Sequence, residues 1–206
     1  MENQPALSDI TALILAGGQG ARMGGLDKGL QELRGQPLVA WAIDRLAPQT
    51  GALMISANRN AERYAGFGYP VIADNPHVAQ GDFQGPLAGI QAGLQQLRTP
   101  WLLTAPCDVP ELPVDLARRL FAAVQSEGCQ IALVIAAGRR QPVIALLHRD
   151  LLPSLEAYLA TGRRSVYGWQ QGLPHVEVEF ADCSFANLNS PDDLLACNER
   201  LPDRLE

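Results

Sequence analysis

The stretch Leu13-Ile14-Leu15-Ala16-Gly17-Gly18-Gln19-Gly20-Ala21-Arg22-Met23-Gly24-Gly25-Leu26-Asp27-Lys28 decides the reading of this chain. It closes a short apolar run, 10–16, whose length suits a buried strand. The run then breaks into a loop carrying Gly17, Gly18, Gly20, Gly24 and Gly25. Glycine lets the backbone approach a ligand closely and adopt positive φ, so successive N–H groups can converge on one anion. Arg22 and Lys28 add two cations to the same loop. A strand that feeds a glycine-rich, cation-bearing loop is an arrangement that holds phosphate.

The loop is not a Walker A loop, because Lys28 is followed by Gly29 rather than Ser or Thr. Gly18-Gln19-Gly20 begins a dinucleotide fingerprint, but Met23 stands where the third glycine belongs. The acidic residue expected about 20 positions on falls at Asp44, inside a helical pattern with no strand before it. A dinucleotide site and a plain surface turn remain as alternatives, although the turn leaves the glycines and cations unexplained.

Working outward, strand and helix patterns alternate. Pro37-Leu38-Val39-Ala40-Trp41-Ala42-Ile43-Asp44-Arg45-Leu46 predicts a helix, with proline in the first turn and Leu38, Trp41, Ala42 and Leu46 on one face. Runs 52–57 and 71–73 predict strands, the second ending at Asp74. Gly85-Pro86-Leu87-Ala88-Gly89 opens another helix, where Leu87, Ile90, Leu94 and Leu97 form one stripe. Run 101–105 predicts a strand that ends at Pro106-Cys107-Asp108. In the second half, 114–126 and 150–160 read as helices, and 131–136, 143–147 and 176–180 as strands. Gly138-Arg139-Arg140-Gln141-Pro142 reads as a connection too long for a tight hairpin. Ser190-Pro191-Asp192-Asp193 reads as a helix start, with Ser190 as N-cap.

Alternating strands and helices predict an α/β fold: a mainly parallel, Rossmann-like sheet with helices on both faces. One domain is expected over 1–206, with a nucleotide half at about 10–110 and an acceptor half at about 111–200. Residues 201–206 are expected to fray. Gly17, Gly18, Ser56, Asn58, Asp74 and Asp108 all lie just past strand carboxyl ends, where open α/β sheets bind ligands.

Composition narrows the function. Of 206 residues, 47% are hydrophobic, enough for a sizeable core. The net charge is −6, and Lys and Arg never run beyond two. This argues against a nucleic-acid-binding face but permits a small anionic ligand in a local basic pocket. Cys107, Cys129, Cys183 and Cys197 form no C-x-x-C pair, and the histidines are scattered, so a zinc site is not expected. Unpatterned cysteines fit a reducing compartment. Residues 1–9 lack the features of a signal peptide, and no apolar run approaches the about 20 residues of a membrane span. A cytoplasmic protein is expected.

A triphosphate held by the loop and Lys28 needs charge neutralisation, commonly by Mg²⁺ on carboxylate oxygen. Asp108, after an apolar strand and stiffened by Pro106 and Pro110, is the first candidate ligand. The alternative is a turn aspartate or helix cap. Asp74 has the same two readings. No Ser–His–Asp or Cys–His arrangement is suggested, and none is needed where the attacking group is a phosphate, largely dianionic at neutral pH.

The opening loop, L-A-G-G-x-G-x-R-M-G-G-x-D-K, resembles the signature of nucleotidyltransferases that build nucleoside diphosphate conjugates. Its double glycine, Met23-Gly24-Gly25-Leu26-Asp27-Lys28-Gly29, is most similar to the molybdenum cofactor guanylyltransferases. Pro86-Leu87-Ala88-Gly89, Pro106-Cys107-Asp108 with Pro110, and Asn187-Leu188-Asn189-Ser190-Pro191 resemble three further segments of that family, so the likeness covers most of the chain. It implies a nucleotidyltransferase fold. It further implies GTP binding by Leu15, Ala16, Gly17, Gly18, Arg22, Lys28, Ser56, Asp74 and Asp108, with Mg²⁺ on Asp108 and catalysis by Lys28 and Asp108. Ser56 departs from the asparagine of the family pattern. Asn187 and Asn189 would lie on the pterin side.

The activity so implied is transfer of GMP from GTP to molybdenum-bound molybdopterin with loss of pyrophosphate, and transient contact with molybdoenzymes or their chaperones. The rivals are transfer of CMP to the same pterin, a sugar-phosphate nucleotidyltransferase, and a nucleotide-binding regulator without turnover. The cytidylyl branch carries A-A-G where this chain has Ala16-Gly17-Gly18, which favours GTP. The pairs Arg139-Arg140 and Arg163-Arg164 are candidates for the anionic acceptor, because the planar guanidinium matches phosphate. Each pair also reads as solvated loop charge.

Overall fold

The computed structural model describes residues 7–16, 27–74, 85–181 and 183–200. In chain order its strands are β1 (Ile10–Leu15), β2 (Glu32–Leu33), β3 (Gln36–Pro37), β4 (Ala52–Ser56), β5 (Val71–Ile72), β6 (Trp101–Pro106), β7 (Ile131–Ala136), β8 (Arg139–His148) and β9 (Val176–Glu179). The helices are α1 (Leu38–Leu46), α2 (Ala61–Ala65), α3 (Pro86–Gln96), α4 (Leu116–Glu127), α5 (Leu152–Ala160), α6 (Val166–Gln171) and α7 (Pro191–Arg200). Seven strands form one sheet in the order β5-β4-β1-β6-β8-β7-β9, and β2 and β3 form a separate small hairpin. Only β8 runs against its neighbours; the pairs β5–β4, β4–β1, β1–β6 and β7–β9 are parallel. The expected mainly parallel α/β sheet is therefore present.

Side-chain alternation sets one core on each face of the sheet, beside a smaller third cluster of Leu33, Leu38, Trp41, Leu188 and Cys197. Ile10, Ala12 and Ile14 of β1 face one side with Leu103 of β6 and Val134 of β7, while Leu13, Leu102 and Leu133 face the other. Helices α1 and α4 cover the first side, through Val39, Ala42, Leu46, Leu116 and Leu120. Helices α3, α5 and α6 cover the second, through Leu87, Ile90, Leu155 and Trp169. Both faces of the central strands are buried, which is why they read as near-continuous apolar runs, interrupted at Thr11 and Thr104.

Local chemistry sets the ends of the elements. Gly85 (φ 71°) turns the chain so that Pro86 starts α3. Gly128 (φ 63°) ends α4 in the left-handed conformation. Ser165 caps α6 by accepting from Gly168 N at 3.1 Å. At α7 the expected cap is present: Asp193 N donates to Ser190 Oγ at 3.1 Å, and the Asp193 carboxylate accepts from Ser190 N at 2.8 Å.

Three expectations are corrected. Residues 138–142 are not a long connection. Ala137 (φ 49°) and Gly138 (φ 68°) make a two-residue turn with both positions left-handed, and β8 begins at once with Arg139. Helix α6 falls in a segment given no element from sequence. Helices α4 and α5 begin two residues later than expected, since Val114 is 72% exposed and Arg149–Leu151 form a separate 3₁₀ turn. Residues 201–206 lie outside the described residues. Among the described residues, no helix is long and apolar enough to cross a membrane.

Candidate active site

The carboxyl ends of β4, β1 and β6 stand side by side, with Leu15 in register with both Ser56 and Pro106. The ladder continues one residue beyond the strands. Ala16 N donates to Ser56 O at 2.8 Å and Cys107 N donates to Leu15 O at 3.1 Å. Backbone pairing thus fixes where Asp108 leaves the sheet. An open pocket of about 230 Å³ sits on this edge, and its lining includes Leu15, Lys28, Ser56, Asp74, Asp108 and Asn187.

At its centre Lys28 Nζ forms an ion pair with Asp108 Oδ2. The same ammonium donates to Asn189 Oδ1 at 2.6 Å. Asp108 is 6% exposed, and its second oxygen, Oδ1, is buried without a hydrogen-bond partner. A buried, unpaired carboxylate oxygen is costly unless something binds it. Hard divalent cations take such oxygens, so the residue present fits the Mg²⁺ expected there. Among the described residues, no group of three or more His, Cys, Asp and Glu could hold a metal. Magnesium commonly completes its shell with water and substrate phosphates around one or two carboxylates.

The segment following β9 reaches this centre from across the sheet. Leu188 N donates to Asp108 O at 3.0 Å, and Leu188 is buried beside Leu33, Leu38 and Trp41. Asn189 N donates to Asp193 Oδ2 at 2.8 Å; these backbone bonds hold the Asp193 carboxyl below its ordinary range. At the other wall, Asn58 Nδ2 donates to Asp74 Oδ2 at 2.7 Å and Asp74 N donates to Asn58 Oδ1 at 2.8 Å. Burial nevertheless raises the Asp74 pKa, with the Asn58 bond opposing it. The Cys107 thiol is pushed well up, first by burial and then by Asp108, so it stays protonated and is no nucleophile.

Leu15, Ala16, Lys28, Ser56, Asp74, Asp108, Asn187 and Asn189 are thus gathered on one edge. Gly17, Gly18 and Arg22 lie outside the described residues. None of the four paired arginines lines the pocket, although Arg164 O lies 3.9 Å from where a Cβ on the lining residue Gly85 would fall. Arg140 is ion-paired with Glu177, lies 3.1 Å from His175 Nε2 and sits 5.0 Å over the Tyr167 ring; its Nη1 is buried without a partner. Arg164 Nη1 donates to the Leu159 and Arg163 carbonyls. Arg139 and Arg163 are exposed. Sequence reasoning missed Val143 and Gly89 in the pocket wall. Gly89 was visible only within its motif: a Cβ there would fall 2.7 Å from Ser56 Oγ, so helix and strand pass closer than any side chain permits.

Residues 12–176 match the model of the MobA-like NTP transferase domain. The chain belongs to the MobA-like NTP transferase family. Relatives in this family include proteins named molybdenum cofactor guanylyltransferase. The one from Cupriavidus pinatubonensis is 50% identical over 195 residues, covering 92% of this chain and 96% of that one. The one from Ralstonia nicotianae is 48% identical over 203 residues, covering 94% and 98%. Among solved structures, molybdopterin-guanine dinucleotide biosynthesis protein A from Archaeoglobus fulgidus superposes with a TM-score of 0.75 at 23% identity, covering 92% of this chain and 97% of that one. The CMP:2-keto-3-deoxy-manno-octonic acid synthetase, solved with CTP, reaches 0.73 at 12% identity, covering 93% and 98%; at such identities the likeness speaks for the fold. In this member of the MobA-like family, Lys28 and Asp108 pair in the strand-end pocket, whose lining includes none of the four arginines.

Proposed function

We propose that this chain transfers the GMP part of GTP to the terminal phosphate of molybdenum-bound molybdopterin, forming the guanine dinucleotide cofactor and releasing pyrophosphate. The observation that carries the reading is the Lys28–Asp108 pair with its unpartnered Oδ1, set at the carboxyl ends of parallel strands. The names of relatives about half identical to this chain supply the substrates.

The residues divide the work by position. Lys28 brings a tethered positive charge to the triphosphate, where fixed charge stabilises the negative charge that develops at the α-phosphorus. Asp108 would hold Mg²⁺, which when bound neutralises phosphate charge. Ser56 and the Asn58-braced Asp74 offer polar groups to the ribose or base. The Ala16 backbone, fixed by its bond to Ser56 O, limits how the nucleotide sits. The attacking group is the acceptor's own phosphate, so no protein nucleophile is required. In each arginine pair the second guanidinium is tied into the fold. Arg139 and Arg163, exposed, are therefore the members that can turn to the anionic pterin, with Asn187 and Asn189 between acceptor and nucleotide. Delivery by transient contact with molybdoenzymes or their chaperones, in the cytoplasm, belongs to the same reading.

The test is pyrophosphate release by the purified protein with Mg²⁺, the molybdenum-loaded pterin, and GTP, CTP or ATP in competition. Release with GTP that needs the pterin supports the reading. Equal reaction with CTP moves the assignment to the cytidylyl activity, and nucleotide binding without release makes the protein a non-catalytic binder.

A further inference from the structure

Asp27 immediately precedes Lys28 and occupies the N-cap position of the 3₁₀ turn Lys28–Leu30, yet its side chain caps nothing in that turn. Aspartate at such a position ordinarily accepts from the first backbone N–H groups. Here both carboxylate oxygens point elsewhere: Oδ1 accepts from the Tyr64 hydroxyl, and Oδ2 accepts from Asn60 Nδ2 at 2.8 Å. Asn60 does likewise. It stands at the N-cap of α2, in the left-handed conformation (φ 53°), and its side chain does not cap α2. Two residues that could each close their own helix start are instead joined to each other. Tyr64 is fully buried. Its hydroxyl reaches Asp27 only because residue 29 is glycine: a Cβ there would lie 2.5 Å from the phenol oxygen. Lys28 therefore sits between a residue clamped by two side chains and a residue pressed on an aromatic ring.

We propose that Tyr64, through Asp27 and with Asn60, is a positioning residue that aims Lys28 at the nucleotide phosphates. Two local caps are left unmade and a left-handed asparagine is retained, all on the residues that anchor the backbone of the catalytic lysine. The burial of Tyr64 and its bond to Asp27 push the phenol well above its ordinary pKa, so it stays a donor throughout the working pH range. The inference rests on the phosphate role given to Lys28 above.

The experiment is a double-mutant cycle on GTP affinity, measured calorimetrically in the presence of Mg²⁺, with Tm recorded for each variant. Tyr64→Phe keeps the ring and removes only the hydroxyl. In the wild-type background it is expected to weaken GTP binding about tenfold, the scale of a lost hydrogen bond to a charged group. In the Lys28→Ala background the same change is expected to have little further effect, because its target is gone. The reciprocal pair Asp27→Asn with Asn60→Asp, which restores a donor facing an acceptor, is expected to recover much of the affinity that Asp27→Asn loses. If Lys28→Ala leaves GTP affinity unchanged, the phosphate role of Lys28 and this inference fall together. If Lys28→Ala weakens binding but Tyr64→Phe adds its full effect in that background, or lowers Tm without changing affinity, Tyr64 only supports the fold and this inference alone is overturned. Should Tyr64→Phe fail to fold, Asp27→Asn takes its place in the cycle with the same outcomes.

Discussion

One oxygen of the Asp108 carboxylate is paired with a lysine and the other is buried without a hydrogen-bond partner, and this makes its removal informative. Asp108→Ala is expected to abolish pyrophosphate release across a Mg²⁺ titration while leaving the circular dichroism spectrum unchanged, because Cys107, and not Asp108, supplies the apolar contact in the core. Wild-type turnover in that variant would mean that Asp108 is no metal ligand. Asp74 makes a different residue-scale prediction. Its folded pKa is raised, so its contribution is at its most favourable below the ordinary aspartate range of about 4 and is lost as pH rises through the folded value. Asp74→Asn should therefore raise Tm at pH 7, and the gain should shrink as pH falls through the raised folded value, largely disappearing by about pH 4. The amide can still accept from Asn58 Nδ2. Thermal melts at a series of pH values check the sign: a gain that grows on acidification would contradict it. The nucleotide contact would be weakened in the same variant, which separates stability from function.

At the scale of elements, α3 shows how closely packing and site are joined. A Cβ on Gly93 would lie 2.6 Å from Leu13 Cδ2, and one on Gly89 2.7 Å from Ser56 Oγ. Both glycines let the helix lie against β1 and β4, but Gly93 faces the core and Gly89 the pocket. Gly93→Ala is expected to lose about 1–3 kcal/mol to overpacking, read by denaturant unfolding, with GTP affinity unchanged. Gly89→Ala is expected to weaken GTP binding by displacing Ser56. Equal effects of both on affinity would show that the helix shifts as a body. The same scale explains what the sequence could reveal. Strands β1, β4 and β6 were legible because both faces are buried and their runs are nearly all apolar, with only Thr11, Ser56 and Thr104 as polar members. The start of β8 was not legible: Arg140, Gln141, Pro142 and Val143 are only half-buried, so neither an apolar run nor a clean alternation marks them. Its turn hides as well, because Ala137 adopts a left-handed conformation that alanine does not advertise. Helix α6 is short and draws its stability from Trp169 and Val166 in the core rather than from its own periodicity. In the site, the strand-end aspartates were legible from position alone. The alliance of Asp27 with Tyr64 was not, because it joins residues 37 apart in sequence.

The whole molecule is held together in two places. The halves of the sheet meet along β6 and β8, where Trp101–Thr104 pair with Ala145–His148. The chain then returns from β9 to the first half, where Leu188 and Cys197 join Leu33, Leu38 and Trp41, and Arg34 Nη2 donates to Asn198 O at 2.7 Å. Residues 187–189 cross the site on this return path. Leu188→Ala is expected to lose about 2–5 kcal/mol of stability, as for other buried leucines. It should also weaken GTP binding, since Asn189 would no longer be held against Lys28. Denaturation and calorimetry on the same sample decide: a lower midpoint with unaltered affinity would make the return path a brace and nothing more.

That return path also has a consequence in time. Residues 187–200 are synthesised after every strand of the sheet, and a chain being made can fold its early parts before the later ones exist. Lys28 and Asp108 can therefore be in place on a growing chain, but Asn187 and Asn189 cannot. Lys28 gains its Asn189 partner, and the pocket its Asn187 wall, only once the chain has been made past residue 189, so an unfinished copy carries an incomplete pocket.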